Sequence, residues 1–328
     1  MAGGLCTINK MASRSTALMH TRIIVPVRNG GQRWLEAAQA LTLCVPTPSM
    51  VAVVDSGSTD GSDTTASNCG FELEHIDPSS FNHGTTRQAA VDRFCEGRSF
   101  VVFLTHDAVI EDPESLLDLL SAFDDPRTGA AYGRQLPHYN ARPFARHNAD
   151  YLYPPDSNTR TLADAGRYGI RTTHLSNSYA AYRLQALREA GGFPGGLILG
   201  EDAYVALRML QADWKISYRA VATVRHSHDY SLFQEVRRYF DYGVFHAQLP
   251  DLLSSLGTAE GEGTRFVASE LRYMAAHAPW NLPFVPLRNA AKYLGYRLGR
   301  KFEVLPNAMR RRMSMTRGFW DNVSVRNA

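Results

Sequence analysis

The sequence predicts an α/β fold built on a parallel, doubly wound sheet. Short apolar, β-branched runs alternate with helix-length segments, the rhythm of β–α–β units. Polar and glycine-rich clusters follow the C-terminal end of each run, the edge at which open α/β sheets bind ligands. The 328 residues suffice for one large α/β domain with an appendage, or for two modest domains.

Residues 1–20 read as a loose, disordered leader without the apolar core of a signal peptide, and Met11 or Met19 is an alternative start. Thr21–Val27 is a buried strand stopped by Arg28-Asn-Gly-Gly, and Trp34–Leu43 is helical. Ser49–Asp55 is a second strand, ended by Ser56-Gly-Ser-Thr-Asp60-Gly. A helix over Thr85–Phe94 leads to a third strand, Ser99–Thr105, ended by His106-Asp107. Residues 130–135 form a further strand, and 137–172, rich in Pro, Asn, Arg and Tyr, read as a long loop. A strand over Ser178–Arg183 and a helix over Leu184–Ala190 run into the glycine-rich turn at Gly191. A helix over Glu201–Ala212 and a last strand over Lys215–Val224 follow, and beyond residue 231 the chain reads as helices. The expected boundaries are 1–20, 21–230 and 231–328.

The net charge of +3 is unevenly spread: residues 271–328 hold eleven Lys/Arg and two acids, which leaves the rest net −6. Such a tail is expected to meet an anionic surface, and no nucleic-acid motif accompanies it, so phospholipid is the expected partner and nucleic acid is not. Within it, Leu287, Ala290, Ala291, Leu294, Leu298 and Phe302 form an apolar stripe at helical spacing, with Arg288, Lys292, Tyr296 and Arg300 opposite. The stripe is expected to pack on the body, to lie on a membrane, or to pack inward with the basic side and Arg310–Arg312 on lipid. No run approaches the ~18 apolar residues of a spanning helix. The four cysteines are far apart, with no Cys-x-x-Cys pair, as in a cytosolic protein with reduced thiols.

Three carboxylate sites fall at element ends. Asp55 suits hydrogen bonds from a base or ribose beside a turn that a ligand can approach, and equally an Asx-type turn. Asp107, at a strand tip, suits a hard divalent cation or a helix cap. Glu201-Asp202 opens a helix, where acids complement the macrodipole and where Asp202 can serve as a general base. His226 and His228 share a face if the last strand continues, and one of them suits a metal or phosphate contact. His83 and His106 flank the same cleft.

These pieces resemble the family-2 glycosyltransferases, inverting enzymes of GT-A fold. Ile24-Val-Pro26-Val-Arg28-Asn is similar to the family's opening strand, and Val53-Val-Asp55-Ser-Gly-Ser-Thr-Asp60-Gly-Ser to its nucleotide-binding segment. Phe103-Leu-Thr-His106-Asp107 resembles the strand that ends at the metal position. Gly191-Gly192-Phe193, Gly200-Glu201-Asp202 and Arg208 resemble the acceptor-side pattern, so the match runs from about residue 21 to 230 in order. A narrower resemblance, to the bacterial rhamnosyltransferase branch, rests on Ser79–Arg87, Thr105-x-Asp107-Ala108, Tyr132–Pro137, His226–Tyr230 and Ala291–Lys301. This chain carries His106 where that branch carries Gln, and Asp107 is the motif's carboxylate.

The resemblance implies a GT-A-like doubly wound mixed sheet with a C-terminal helical appendage. It implies a nucleoside-diphosphate sugar donor, dTDP-L-rhamnose, and a saccharide acceptor, lipid-linked, in cell-surface polysaccharide synthesis on the cytoplasmic face of the membrane. Pro26, Arg28, Asp55, Asp60, His83, Arg87 and His106 would contact the donor, with the start of the helix at His83 and Arg87 facing the diphosphate. Asp107, with His226 or His228, would hold Mg2+ or Mn2+, and Asp202 would be the base. Glu201, Arg208, Gly192 and Phe193 would lie on the acceptor side. The competing readings are a sugar-nucleotide pyrophosphorylase, whose basic glycine-rich loop Val27-Arg-Asn-Gly-Gly imitates only faintly, and an inactive nucleotide-sugar-binding protein, against which Asp202 stands.

Overall fold

The computed structural model describes residues 16–250, 256 and 259–326. In chain order the elements are β1 (Thr21–Val27), α1 (Gly31–Cys44), β2 (Val51–Asp55), α2 (Ser62–Asn68), β3 (Glu72–His75), α3 (His83–Phe94), β4 (Phe100–Leu104), α4 (Ser115–Leu120), β5 (Thr128–Leu136), α5 (Pro143–Leu152), β6 (Asn158–Arg160), α6 (Ala165–Tyr168), β7 (Tyr179–Arg183), α7 (Leu184–Glu189), α8 (Glu201–Gln211), β8 (Lys215–Arg225), α9 (Leu232–Gln248), α10 (Ala259–His277), α11 (Phe284–Gly299), α12 (Asn307–Met313) and α13 (Arg317–Arg326).

The strands form one sheet in the order β3-β2-β1-β4-β7-β5-β8-β6. The first four are parallel, β7 runs antiparallel between β4 and β5, and β6 runs antiparallel to β8. The sheet is therefore mixed, as the resemblance implies, and not all-parallel, as the apolar runs alone suggest. β7 is as thoroughly buried as its parallel neighbours, so its composition carries no mark of its direction. Alternation along the strands builds two cores. Ile23, Val25, Val53 and Val102 face Trp34, Ala38 and Leu41 of α1. Ile24, Val54, Val101 and Phe103 face Ala90 and Phe94 of α3 and Val205 and Met209 of α8.

Several expectations need correction. Residues 1–15 of the expected leader lie outside the described residues, but 16–19 are helical and Leu18 is buried in the α1-side core. A single apolar turn ahead of β1 is too short for periodicity to register. Residues 137–172 are not one loop. They hold α5, β6 and α6, because α5 starts on a proline at its first turn and buries Ala145, His147 and Ala149, a polar-looking face. β3 has no buried residue and so leaves no apolar signature.

The tail is helical and lies against the body: Phe240, Val244, Phe245 and Trp320 share a core with Ile198, Leu199 and Leu207. The apolar stripe of α11 divides: Leu298 and Phe302 pack on the core, whereas Leu287, Ala290 and Leu294 are exposed and two of the basic residues expected opposite them are turned inward. Its buried side is Val285, Lys292, Gly295 and Gly299. Arg288 Nη2 meets Glu235 Oε1 at 2.7 Å, and Lys292 Nζ lies 3.4 Å from Glu270 Oε1. Leu287 and Leu294 of the apolar stripe face solvent, more than half exposed. α9 and α11 run side by side in the same direction, with Val236 against Gly295, Phe240 against Gly299 and Gly243 against Tyr296. A Cβ at any of these three glycines would strike the facing backbone. Hydrophobic periodicity registers neither the acidic partners nor the close approach that glycine permits, and these two decide which side is buried.

Candidate active site

Two side-chain clusters gather where strands and helices end at the same edge of the sheet. The first joins β4 to β8. Val109 N–H donates to Arg225 O at 3.0 Å and Arg225 N–H to Val109 O at 2.8 Å, which zips the loop after β4 onto the end of β8. This places His226 Nε2 3.4 Å from Asp107 Oδ1 and His228 Nε2 3.7 Å from Asp107 Oδ2. One ligand atom from each of the three lies within 4.8 Å of the others. His226 Nδ1 is 2.7 Å from Gln135 Oε1 on β5, and the Gln135 amide nitrogen donates to Ser176 Oγ at 2.9 Å. In the neutral ring Nδ1–H therefore donates to Gln135, and the Nε2 lone pair faces the carboxylate. Two acceptors facing each other across 3.4 Å suit a cation between them, with Gln135 fixing the ring from behind. Both imidazoles thus flank Asp107, and His106 sits against the Gly30 turn, where a Cβ would meet its ring at 3.0 Å.

Burial pushes the Asp107 carboxyl up, but when the rings carry protons the hydrogen bond from His226 and the charges of His226, His228 and His106 outweigh it and hold the group well below the usual range. Burial and the charge of His226 push His228 down to about 4, so its ring is a neutral ligand at pH 7. Beside this cluster opens a cavity of about 340 Å³ lined by Asp107, His228, Tyr230, Arg33, His138 and Asn140, large enough for a small ligand. Tyr230 stacks on His228 with centroids 5.2 Å apart.

The second cluster opens α8. Asp202 Oδ1 accepts from Ala203 N–H at 2.8 Å and Oδ2 from Asn177 N–H at 3.2 Å. Its pKa is raised to about 7, first by burial and then by the neighbouring Glu201. Glu201 itself is buried and ionised: Arg87 Nη1 lies 2.9 Å from Oε1, and Asn177 Nδ2 donates to the same oxygen at 2.9 Å. A carboxylate with a pKa near neutrality at a rigid helix start can take a proton from a hydroxyl at pH 7.

The loops after β1 and β2 are tied to one another. Asp60 accepts from Gly31 N–H at 2.8 Å and from Ser62 Oγ at 2.7 Å, while Asn29 Oδ1 accepts from Thr59 N–H at 2.8 Å. Asp55 Oδ2 closes an Asx-type turn by accepting from Gly57 and Ser58 N–H, but its buried Oδ1 has no partner among the described residues. One Asp55 oxygen therefore serves the turn, and the other is left without a donor from the described residues.

The glycosyl transferase family 2 model matches residues 22–191. The chain is 43% identical to the O-antigen chain rhamnosyltransferase WbaN of Salmonella anatum, over 92% of this chain and 96% of that protein. It is 40% identical to RfbN, the protein of the same description from Salmonella typhimurium, over 93% and 97%. The chain belongs to glycosyl transferase family 2. Among solved structures, a mannosyltransferase from Pyrobaculum calidifontis, in complex with GDP-Man and Mn2+, covers 98% of this chain with 97% of its own length. Its TM-score is 0.53 and its identity 17%, a likeness of GT-A fold.

In this glycosyltransferase several expected donor and acceptor residues are otherwise engaged. Arg87 is buried on Glu201 and cannot also reach a diphosphate. The first N–H groups of α3 are likewise spent: Asn82 Oδ1 accepts from Gly84 and Thr85, and α3 is pressed on Pro194. Burial pushes His83 down to about 4, beside Arg87. Phe193 is core, edge-on to Phe103 and Tyr182. Gly192 packs on Gln88, and Arg208 is exposed at the last turn of α8, bonded to Gln211. Arg28 is exposed at the end of β1, and Pro26 is half-buried within it. Sequence reading gives no role to Gln135, Asn177, Arg33, His138, Asn140 or Tyr230, although Gln135 and Tyr230 lie within the segments Tyr132–Pro137 and His226–Tyr230 that carry the narrower resemblance. Gln135 carries a further signal, an amide within an apolar strand. Among the described residues no helix is long and apolar enough to cross a membrane.

Proposed function

We propose that this glycosyltransferase moves L-rhamnose, with inversion, from dTDP-L-rhamnose to a saccharide acceptor carried on a lipid, on the cytoplasmic surface of an anionic membrane. The observation that carries the reading is a division of labour between two carboxylates, Asp107 held charged beside two imidazoles and Asp202 held near neutrality. The two relatives described as O-antigen chain rhamnosyltransferases support the sugar, because their similarity spans nearly the whole chain.

Asp202 accepts the proton of an acceptor hydroxyl as that oxygen attacks the anomeric carbon. The bond to the diphosphate oxygen breaks on the opposite face, and its electron pair leaves with the nucleotide. Asp107, His226 and His228 would hold a divalent cation, and two imidazoles favour Mn2+ over Mg2+, which prefers oxygen ligands. When bound, that ion neutralises the charge gathering on the diphosphate, so no general acid is needed. The free Asp55 Oδ1 receives a donor from the base or ribose. The test is release of dTDP from dTDP-L-rhamnose, with Mn2+ and a rhamnose-accepting saccharide, against a panel of other nucleotide sugars. Faster turnover of another donor would overturn the choice of sugar. Pyrophosphate formation from a sugar phosphate and a nucleoside triphosphate would overturn the reaction.

A further inference from the structure

The exposed side of α11 is an apolar surface without a partner. Leu287, Ala290, Tyr293, Leu294 and Arg297 fall on the face away from Lys292, Gly295 and Gly299, and all are exposed. Trp280, in the turn before α11, is 70% exposed, and Phe284, Leu287, Tyr293 and Leu294 are each more than half exposed. α9 adds to the same end of the bundle. The two helices run parallel, with Glu235 against Arg288, so the exposed Leu232 and Phe233 start α9 at the end where Phe284 and Leu287 start α11.

Charge selects the occupant. Between Glu270 and Glu303 there is no acidic residue and there are six Lys/Arg. Arg288 and Lys292 are turned inward onto Glu235 and Glu270, which leaves Arg272, Arg297, Arg300 and Lys301 exposed. A second copy docked on this face would set Arg297 and Lys301 against like charges, with no acid between. An anionic bilayer accepts both features: apolar side chains enter the acyl boundary and basic ones meet headgroups.

We propose that the Trp280–Leu294 face of α11, with Leu232 and Phe233, seats the protein on anionic lipid by inserting its apolar side chains. The inference rests on the reading of the acceptor as lipid-linked. The inward side of α11 adjoins the site, because Arg288 Nη2 donates to the carbonyl of Tyr230 at 3.0 Å, and Tyr230 and Gln234 line the cavity. The helix that carries the seat is thus only one side-chain contact away from the cavity wall.

The test is flotation of the full chain with phosphatidylcholine vesicles containing about 30% phosphatidylglycerol, whose anionic headgroups attract Lys and Arg, and with pure phosphatidylcholine. The wild type is expected to float with the first and much less with the second. The variant Trp280→Ala, Leu287→Gln, Leu294→Gln is expected to bind vesicles at least about tenfold more weakly. Its melting temperature, and its transfer rate to a water-soluble acceptor, should match the wild type. Arg297→Gln with Lys301→Gln should reduce the preference for anionic vesicles. Flotation of the apolar variant equal to wild type, no flotation of the wild type, or a wild-type dimer that the apolar variant splits would each overturn the assignment. Transfer to the soluble acceptor is scored separately: its failure sinks the rhamnosyltransferase reading and leaves the flotation result standing.

Discussion

Asn177 grips Glu201 on the oxygen that Arg87 also holds: its Nδ2 donates to Glu201 Oε1 at 2.9 Å, the distance at which Arg87 Nη1 meets the same atom. Glu201 is thereby kept negative inside the protein, next to Asp202, and its charge helps to raise the Asp202 pKa. Removing one partner of such a pair strands the other in a dry setting, which typically costs about 3–5 kcal/mol, whereas apolar replacement of both is often near neutral. Glu201→Gln is expected to show that loss in denaturant melts, and Glu201→Gln with Arg87→Met to recover most of it. Equal stability of the single variant and wild type would show that the pair is not energetically coupled.

Asp202→Asn removes the proton acceptor and keeps the shape. Turnover should fall about 10²–10⁴-fold while nucleotide-sugar binding, measured by calorimetry, persists. The sign of the stability effect follows from the raised pKa. The folded state holds a proton on Asp202 up to about pH 7, whereas the unfolded chain releases it near its ordinary value. Wild-type stability therefore falls as pH rises toward 7, and the Asn variant should gain on wild type at pH 8 and not at pH 4. In the active enzyme kcat/KM should rise with pH through about 7. A pH-independent profile from 5 to 8 would remove Asp202 from the mechanism.

Chelation with EDTA should abolish transfer and Mn2+ should restore it. Asp107→Ala should prevent the restoration. Gln135→Leu, which leaves all three ligands in place but frees the His226 ring, should weaken Mn2+ binding by about 10–100-fold. Spectroscopic titration with Mn2+ reads that affinity directly, and unaltered binding in Gln135→Leu would mean that the ring is oriented by something else.

The seam between α9 and α11 depends on a side chain of no size. Gly295→Leu sets carbon against the Val236 carbonyl and should force the helices apart. Overpacking of this kind typically costs about 1–3 kcal/mol, and a lowered melting temperature without lost donor binding is the expected result. An unchanged melting temperature would mean that the helices separate freely.

The parallel strands, with Asp55, Asp107 and Asp202 placed at element ends, are legible in the sequence because each follows an apolar run or opens a helix. A partnership of Asp107 with one of His226 and His228 is also legible, as alternating residues beyond the last strand, whereas the structure sets both beside it. What is not legible is which charges turn inward. Arg87 occupies a helix start, where an anion-binding role is the natural reading, yet Glu201, more than a hundred residues on, claims it. Lys292 sits on a polar face by count and is buried by contact with Glu270. In both cases the deciding partner is distant in sequence and acidic, and local periodicity cannot carry that information. The direction of β7 is hidden for a different reason: a strand buried on both faces has no polar side to mark it.

The bridge between Val109 and Arg225 has a bearing on recombination between relatives of this enzyme. It sutures a loop from the first third of the chain to one from the last third, with more than a hundred residues of intervening polypeptide. Chimaeras joined anywhere between these two points would draw Asp107 from one parent and both imidazoles from the other. Shuffling aimed at new acceptors while the donor half is kept should therefore place its crossovers beyond residue 228, or graft 105–109 and 225–228 as a unit. Libraries cut between these two segments would yield proteins whose failure lies in the mismatch of that suture.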